Sequence, residues 1–403
     1  MSDLDLIEQL GELLGRPLEK LPEERFERHG QAQYARDTEN QDRITKDAYS
    51  LAADGTVGGL FLQPVTSQIL FEFPFNQLNH VRYLYLAQVN LPRFLFIRRL
   101  TGLISLDLSE NRINNFSFFS FLRKLTRLRY LDLSGNQIAD CSFLTNLNKL
   151  ENLSLRNNEI VDCSCLKKLE NLKVLNLRNN KISDFSFLAS MKNLDSLNLN
   201  ENNIPDLSFL RELSGLASLD LRINDPRDCL HLSNLTALKS LKLTNSHVTD
   251  FSFLRELKGI KSLSLSGNRA SNLSFIKELK ELTSLDLSDN YTGKDLVLEG
   301  PDQLKSLALR NNQISDFMFI RDLKKLRYID LSYNNVFDGS FLMELSDIKS
   351  LNLSASWISD FSFLNELKNL AFLDLSFNGI DNCSFLKDTT RLLLLDLRNN
   401  NIV

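Results

Sequence analysis

Proline and glycine are scarce in this 403-residue chain, at 8 and 15. That scarcity excludes long flexible linkers. Tryptophan occurs once, and the five cysteines and four histidines are spread thinly. No apolar run approaches the roughly 18 residues that a membrane helix needs. The N-terminal MSDLDLIEQLGELLGRP carries acids where a secretory signal would carry Lys or Arg and a continuous apolar core. The expected compartment is therefore the cytoplasm, and no membrane partner is expected. Net charge is −4, with Lys and Arg distributed along the chain. A nucleic-acid surface needs a concentrated basic stripe, so nucleic acid is not an expected partner. Phosphate-loop and H-E-x-x-H motifs are both missing. The nearest loop candidate, Asp289 to Asp295, lacks the first Gly and the hydroxyl after Lys294. The reading is a non-enzyme without metal or cofactor.

What is present is periodicity. Hydrophobic residues make up 43% and charged residues 24%, a globular balance, and phenylalanine reaches 27. The heptapeptide ISDFSFL fills 182–188 and returns at 358–364, a separation that is a multiple of 22. The pattern L-x-x-L-x-L-x-x-N ends at 111 and 136, and then every 22 residues to 400. Asn fills its last slot except at Ser246 and Ser356. The step from Asn111 to Asn136 is 25, with the excess in the Phe-rich NNFSFFSFL. Weaker turns precede these, VRYLYLAQV ending at Val89 and VGGLFLQPV ending at Val65. Leucines at i and i+2 share one strand face. A 22-residue unit cannot bury its own apolar face, so units must stack.

This signature resembles the leucine-rich-repeat family over about residues 56–403. The resemblance implies an α/β repeat solenoid, a horseshoe of about 15 turns. It would have a concave parallel sheet and short 3₁₀ or irregular convex segments. The 22-residue period is similar to internalin-like and phosphatase-regulator-like short repeats. In such a family the Asn amide bonds backbone groups of adjacent turns, so the ladder is expected to weaken at Ser246 and Ser356.

The other half of each unit reads I-x-D-F-S-F-L-x-x-L-x-x-L. Its spacing suits a 3₁₀ turn with one side inward. Asp140, Asp162, Asp184, Asp206, Asp250, Asp316 and Asp360 are expected to hold that bend through the backbone. Nothing else in the unit supplies a metal shell. Cys141, Cys163, Cys229 and Cys383 take the first Phe slot and Cys165 the second. They read as core fillers in a reducing compartment.

The ends differ. Residues 1–55 are expected to form an N-terminal helix-plus-hairpin cap, with Ser2 capping a helix over Leu6, Ile7, Leu10, Leu13 and Leu14 and with ADGT as the hairpin turn. Polar, partly ordered sequence lies between. This opening resembles the repeat region of bacterial Roco proteins, although Asp184-Phe185-Ser186-Phe187-Leu188 stands where their repeats carry D-I-S-P-L. The chain stops at RNNNIV. Leu392, Leu395 and Leu397 are expected at an uncapped edge. Three readings stand open: a fragment of a longer protein, pairing of that end with itself or a partner, or fraying.

For function, the strand positions that face outward matter. Most carry Ser or Asp, a solubilised face. The departures are Arg156, Arg178, Arg222, Arg310 and Arg398, and the aromatics Tyr83, Tyr85, Tyr130, Tyr328, Tyr333, Phe372 and Phe377. Trp357 lies just past a strand. Tyr, Trp, Phe and Arg are enriched in interface hot spots. Phe372 and Phe377 packing on each other is the competing reading. The candidate partner-binding set is Tyr130, Arg156, Arg178, Arg222, Arg310, Tyr328, Tyr333, Trp357, Phe372 and Phe377. The expected function is a bacterial protein–protein interaction scaffold. The alternative is the recognition arm of a larger protein such as a Roco-type GTPase.

Overall fold

The computed structural model describes residues 2–32, 46–63, 73–89, 95–114, 116–222, 224, 229–270, 272–293, 296–387 and 389–402. The last two residues of the weak turn ending at Val65, the residues around Pro226 and the Lys294-Asp295 pair lie outside these. Residues Met1–Ile204 and Pro205–Val403 form two compact units.

The first unit opens with α1 (Asp3–Leu14), where Ser2 and Asp5 form a reciprocal cap. The Ser2 hydroxyl accepts the Asp5 N–H at 3.2 Å, and the Asp5 carboxylate accepts the Ser2 N–H at 2.7 Å. Gly15 ends the helix at φ 66°, a left-handed conformation that glycine adopts without strain. Leu6, Ile7 and Leu10 are buried, while Leu13 and Leu14 are half-buried. The Asp3 carboxylate accepts the Val57 N–H at 2.8 Å and ties α1 to the sheet. An Arg16–Asp47 ion pair adds a second tie.

Strand β1 (Glu19–Lys20) runs parallel to β2 (Ala48–Leu51), and β2 forms an antiparallel hairpin with β3 (Val57–Phe61). The Ala52 N–H donates to the Thr56 carbonyl across the expected ADGT turn. From β3 onward the pairings are parallel and in register. They run through β4 (Tyr83–Tyr85), β5 (Ser105–Asp107), β6 (Tyr130–Asp132), β7 (Asn152–Ser154), β8 (Val174–Asn176) and β9 (Ser196–Asn198). One helix was not foreseen. α2 (Glu23–Ala32) occupies sequence read above as polar and only partly ordered. Glu23 and Glu24 in its first turn complement the helix dipole there. The Phe-rich insert forms α3 (Phe116–Leu122), an α-helical turn in place of a 3₁₀ one.

The second unit repeats one motif. Its parallel strands are β10 (Ser218–Asp220), β11 (Ser240–Lys242), β12 (Ser262–Ser264), β13 (Ser284–Asp286) and β14 (Ser306–Ala308), followed by β15 (Tyr328–Asp330), β16 (Ser350–Asn352), β17 (Phe372–Asp374) and β18 (Leu394–Asp396). Leu241, Leu263 and Leu285 are in register and fully buried. Short 3₁₀ segments such as Ser186–Ser190 and Ser362–Glu366 fill the other side of the turns.

Two ladders join successive turns. The first is the Asn row. The Asn312 amide nitrogen donates to the carbonyls of Leu287 and Leu309 at 2.9 and 3.0 Å, and its oxygen accepts the Asn290 N–H. The expected weakening at the serines is uneven. Ser246 Oγ still reaches the preceding turn, at 3.0 Å from the Leu221 carbonyl. Among the described residues, Ser356 Oγ bonds only within its own turn, to the Ser354 carbonyl at 3.3 Å.

The second ladder is aromatic and steps by 24. The first Phe of one turn meets the second Phe of the next. Ring centroids are 5.4 Å apart for Phe317–Phe341 and 4.5 Å for Phe361–Phe385. Cys141 and Cys165 stand in the same relation, with Sγ atoms 3.1 Å apart. The five cysteines are free thiols, buried or half-buried. The acidic residues behave as expected: Asp140, Asp162, Asp184 and Asp360 each accept the N–H of the Ser two residues on, at 2.7–2.9 Å.

Candidate functional site

Residues that alternate with the core leucines form the solvent face of each sheet. In the first unit this face is roofed at its start. Tyr85 OH donates to the Phe26 carbonyl of α2 at 2.8 Å. The His29 ring meets Tyr85 edge-on, with centroids 4.7 Å apart, and also meets Phe61. Phe26, Ala48, Tyr83 and Tyr85 form one buried cluster. Gly59 makes the approach possible. A Cβ there would lie 2.7 Å from the Phe26 ring. Burial, followed by the charges of Glu27 and Glu23, pushes Tyr83 up to about 12. Burial pushes Tyr85 up as well.

Tyr83, Tyr85 and Tyr130 are therefore not the exposed aromatic patch expected above. Tyr130 is only 4% exposed. The Arg129 guanidinium sits 5.6 Å from its ring centroid and pairs with Glu151 at 2.6 Å. The covered stretch also takes in Ser105 and Asp107, both buried. Asp107 is in register with Asp132 on β6. Burial, followed by repulsion from Asp107, pushes Asp132 up to about 7, opposed by Ser134 and Arg156. The Asp132 carboxylate accepts both the N–H and the hydroxyl of Ser134.

The arginines are mostly engaged within the face and do not form a free cationic stripe. In the first unit Arg178 pairs with Glu201 at 2.6 Å, and Arg156 is exposed. In the second unit Arg222 folds onto the buried Asp220 at 3.0 Å, and Arg398 pairs with Asp396 at 2.6 Å. Arg310 lies over the Tyr333 ring, 4.1 Å from its centroid. Pairing at i and i+2 along one strand costs little side-chain reorganisation, and the sequence pattern alone did not weigh it.

The aromatics of the second unit stay open. Tyr328, Tyr333, Phe372 and Phe377 are 44–55% exposed and Trp357 is 75% exposed. Tyr333, Trp357 and Phe377 sit at φ 57–61°, in the left-handed bend after the strand, which holds their side chains outward. Phe372 and Phe377, which the competing reading packs on each other, are 45% and 55% exposed. Leu394, in register with Phe372, extends the apolar surface at 58% exposure. Leu393 and Leu395 are exposed, and Leu392 and Leu397 half-buried. The signal for the α2 roof was the Gly58-Gly59 pair inside a strand, which marks a close approach by another element.

No helix of the described residues is long and apolar enough to cross a membrane. Nor do the described residues bring together three or more His, Cys, Asp or Glu side chains that could hold a metal ion.

In-register parallel strands, 3₁₀ returns and an Asn ladder define a leucine-rich-repeat solenoid. The family model for leucine-rich repeats in two copies matches residues 101–146 and 148–190. An internalin from Listeria monocytogenes is 33% identical, with TM-score 0.65, covering 74% of this chain and 88% of its own. A leucine-rich-repeat protein of Leptospira interrogans is 28% identical, with TM-score 0.64, covering 80% and 85%. A TDR receptor at 20% identity and TM-score 0.56, covering 79% and 64%, shares the fold. No curated protein matches. The chain belongs to the leucine-rich-repeat family.

Proposed function

We infer that the chain is a non-catalytic scaffold that binds a partner protein on the solvent face of the sheet in its second unit. The observation that carries this reading is the open aromatic group Tyr328, Tyr333, Phe372 and Phe377 on a face otherwise dressed with Ser and Asp. Large aromatics held outward on a rigid backbone supply contact area with little ordering cost on binding. Trp357 flanks this group, and Arg310 is part of it through its contact with Tyr333. The paired Arg178 and Arg222, and the exposed Arg156, are secondary candidates on the same reading.

The setting we infer is a bacterial cytoplasm. Thiol core fillers such as Cys141 and Cys163 suit a reducing compartment, and the Listeria and Leptospira relatives are bacterial. The test is affinity capture with mass spectrometry, comparing the native chain with a variant carrying Tyr328, Tyr333, Phe372 and Phe377 all changed to Ala. Loss of the captured partner in the variant is expected. Equal recovery from both would overturn the reading.

A further inference from the structure

The aromatic group has an internal order. Strand β15 brings Tyr328 and Asp330, with Tyr333 just beyond it, and β17 brings Phe372 and Asp374, with Phe377 just beyond it. Between them, β16 places Ser350 and Asn352 in register with both, and Ala355 follows in the equivalent bend. Two rows, each aromatic–carboxylate–aromatic, thus flank a row of small side chains. Neighbouring strands lie about 4.8 Å apart, so the two outer rows are separated by roughly 10 Å. A flat group needs about 3.5–4.0 Å to the atoms on each side. The trough therefore admits one planar side chain between its walls.

A carboxylate stands at the middle of each wall, Asp330 on β15 and Asp374 on β17. Asp330 Oδ1 accepts both the N–H and the hydroxyl of Ser332, at 2.9 and 2.7 Å. Asp374 Oδ1 does the same with Ser376, at 2.9 and 2.7 Å. One oxygen of each carboxylate takes both local donors, and Oδ2 of each accepts none from the described residues. The molecule also supplies a precedent for the ligand, because the Arg310 guanidinium already lies over Tyr333.

We propose that the trough between β15 and β17 receives an arginine side chain from the partner protein, its guanidinium held between the aromatic walls and donating to Asp330 and Asp374. Guanidinium is planar, stacks on aromatic faces and pairs with carboxylates, so it matches all three features of the walls. Phosphate-bearing partners are disfavoured by the same two carboxylates. The proposal rests on the scaffold reading and specifies what that surface recognises.

The test is a titration of fluorescently labelled hexa-arginine, with hexa-glutamate as control, at about 0.15 M salt, where long-range charge effects are screened. Hexa-arginine should bind and hexa-glutamate should not. Asp330→Asn with Asp374→Asn keeps the acceptors for Ser332 and Ser376, and it should weaken hexa-arginine binding about tenfold or more. Ser350→Phe, which fills the floor, should do the same. Thermal melting checks that each variant is folded, and the Asn pair decides if the Phe variant is not. Equal binding of the two peptides, or undiminished binding in the Asn pair, would overturn the proposal. The two readings separate cleanly. If capture depends on the aromatics while hexa-arginine fails to bind, the arginine assignment falls and the scaffold stands. If capture ignores the aromatics, the scaffold reading falls and the titration still judges the trough.

Discussion

The Phe363 ring occupies the space that a side chain on Gly339 would fill. Gly339 holds the first Phe slot of its turn and Phe363 the second slot of the next, the 24-residue step seen for Phe317–Phe341 and Phe361–Phe385. Gly339 has φ −94°, so its backbone suits any residue. The lost space alone sets the cost of a side chain. Gly339→Ala should destabilise the protein by about 1–3 kcal/mol through overpacking. Thermal melting of the single variant and of its combination with Phe363→Leu checks this. The second change should recover part of the loss, since the two residues share one space.

The α2 roof makes a second prediction. Tyr85→Phe removes the bond to the Phe26 carbonyl and should cost about 1 kcal/mol. Gly59→Ala should cost more, because its Cβ meets the Phe26 ring at 2.7 Å. Hydrogen exchange along Glu23–Ala32 is the discriminating readout. Protection there should fall in both variants before it falls in β12 or β13.

Asp132 makes the third, and its sign is set by the direction of the shift. Its folded value, about 7, lies above the ordinary 3.8. Between those values the folded state holds a proton that the unfolded state has released. Stability is therefore lost as pH rises from about 4 to 7. Asp132→Asn should remove that loss and gain on the order of 2 kcal/mol at pH 8, with little change at pH 4. Denaturant melts at the two pH values read this directly. A variant that gains nothing at pH 8 would refute the burial and Asp107 repulsion as the cause.

The Asn ladder makes the fourth. Asn312 is fully buried and satisfies groups in two turns. Asn312→Ala leaves the buried Asn290 N–H without its acceptor, while the Leu287 and Leu309 carbonyls keep the amides of Asn290 and Asn334, and should cost about 2 kcal/mol. Asn378→Ala should cost less, because Asn378 is only half-buried and water can replace part of what is lost. Urea titrations of the two variants give the comparison.

Much of this was legible in the residues. The period placed Leu, Phe and Asn inward, and the Asp at each bend was assigned from its spacing alone. Those assignments succeed because each slot is filled by its own turn and the adjacent ones, and the same local environment recurs every 22 residues. The α2 roof was harder. It rests on Phe26 and Gly59, which lie in different elements and carry no repeat.

The sequence by itself determined the solenoid: a unit too short to bury its own leucines must stack, in one phase, with its strands in register. Only the tertiary structure decided which of the equivalent outward positions are available. Tyr130 and Tyr328 fill the same strand position. One is 4% exposed and the other 48%. The first lies in the first unit, two strands from Tyr83 and beside the Arg129 guanidinium, the second on an open face of the second unit. Repeat periodicity encodes contacts between neighbouring turns. Cover supplied by a segment outside the repeat, as α2 supplies it to Tyr85, leaves no mark in that period, and neither does the folding of Arg222 back onto Asp220.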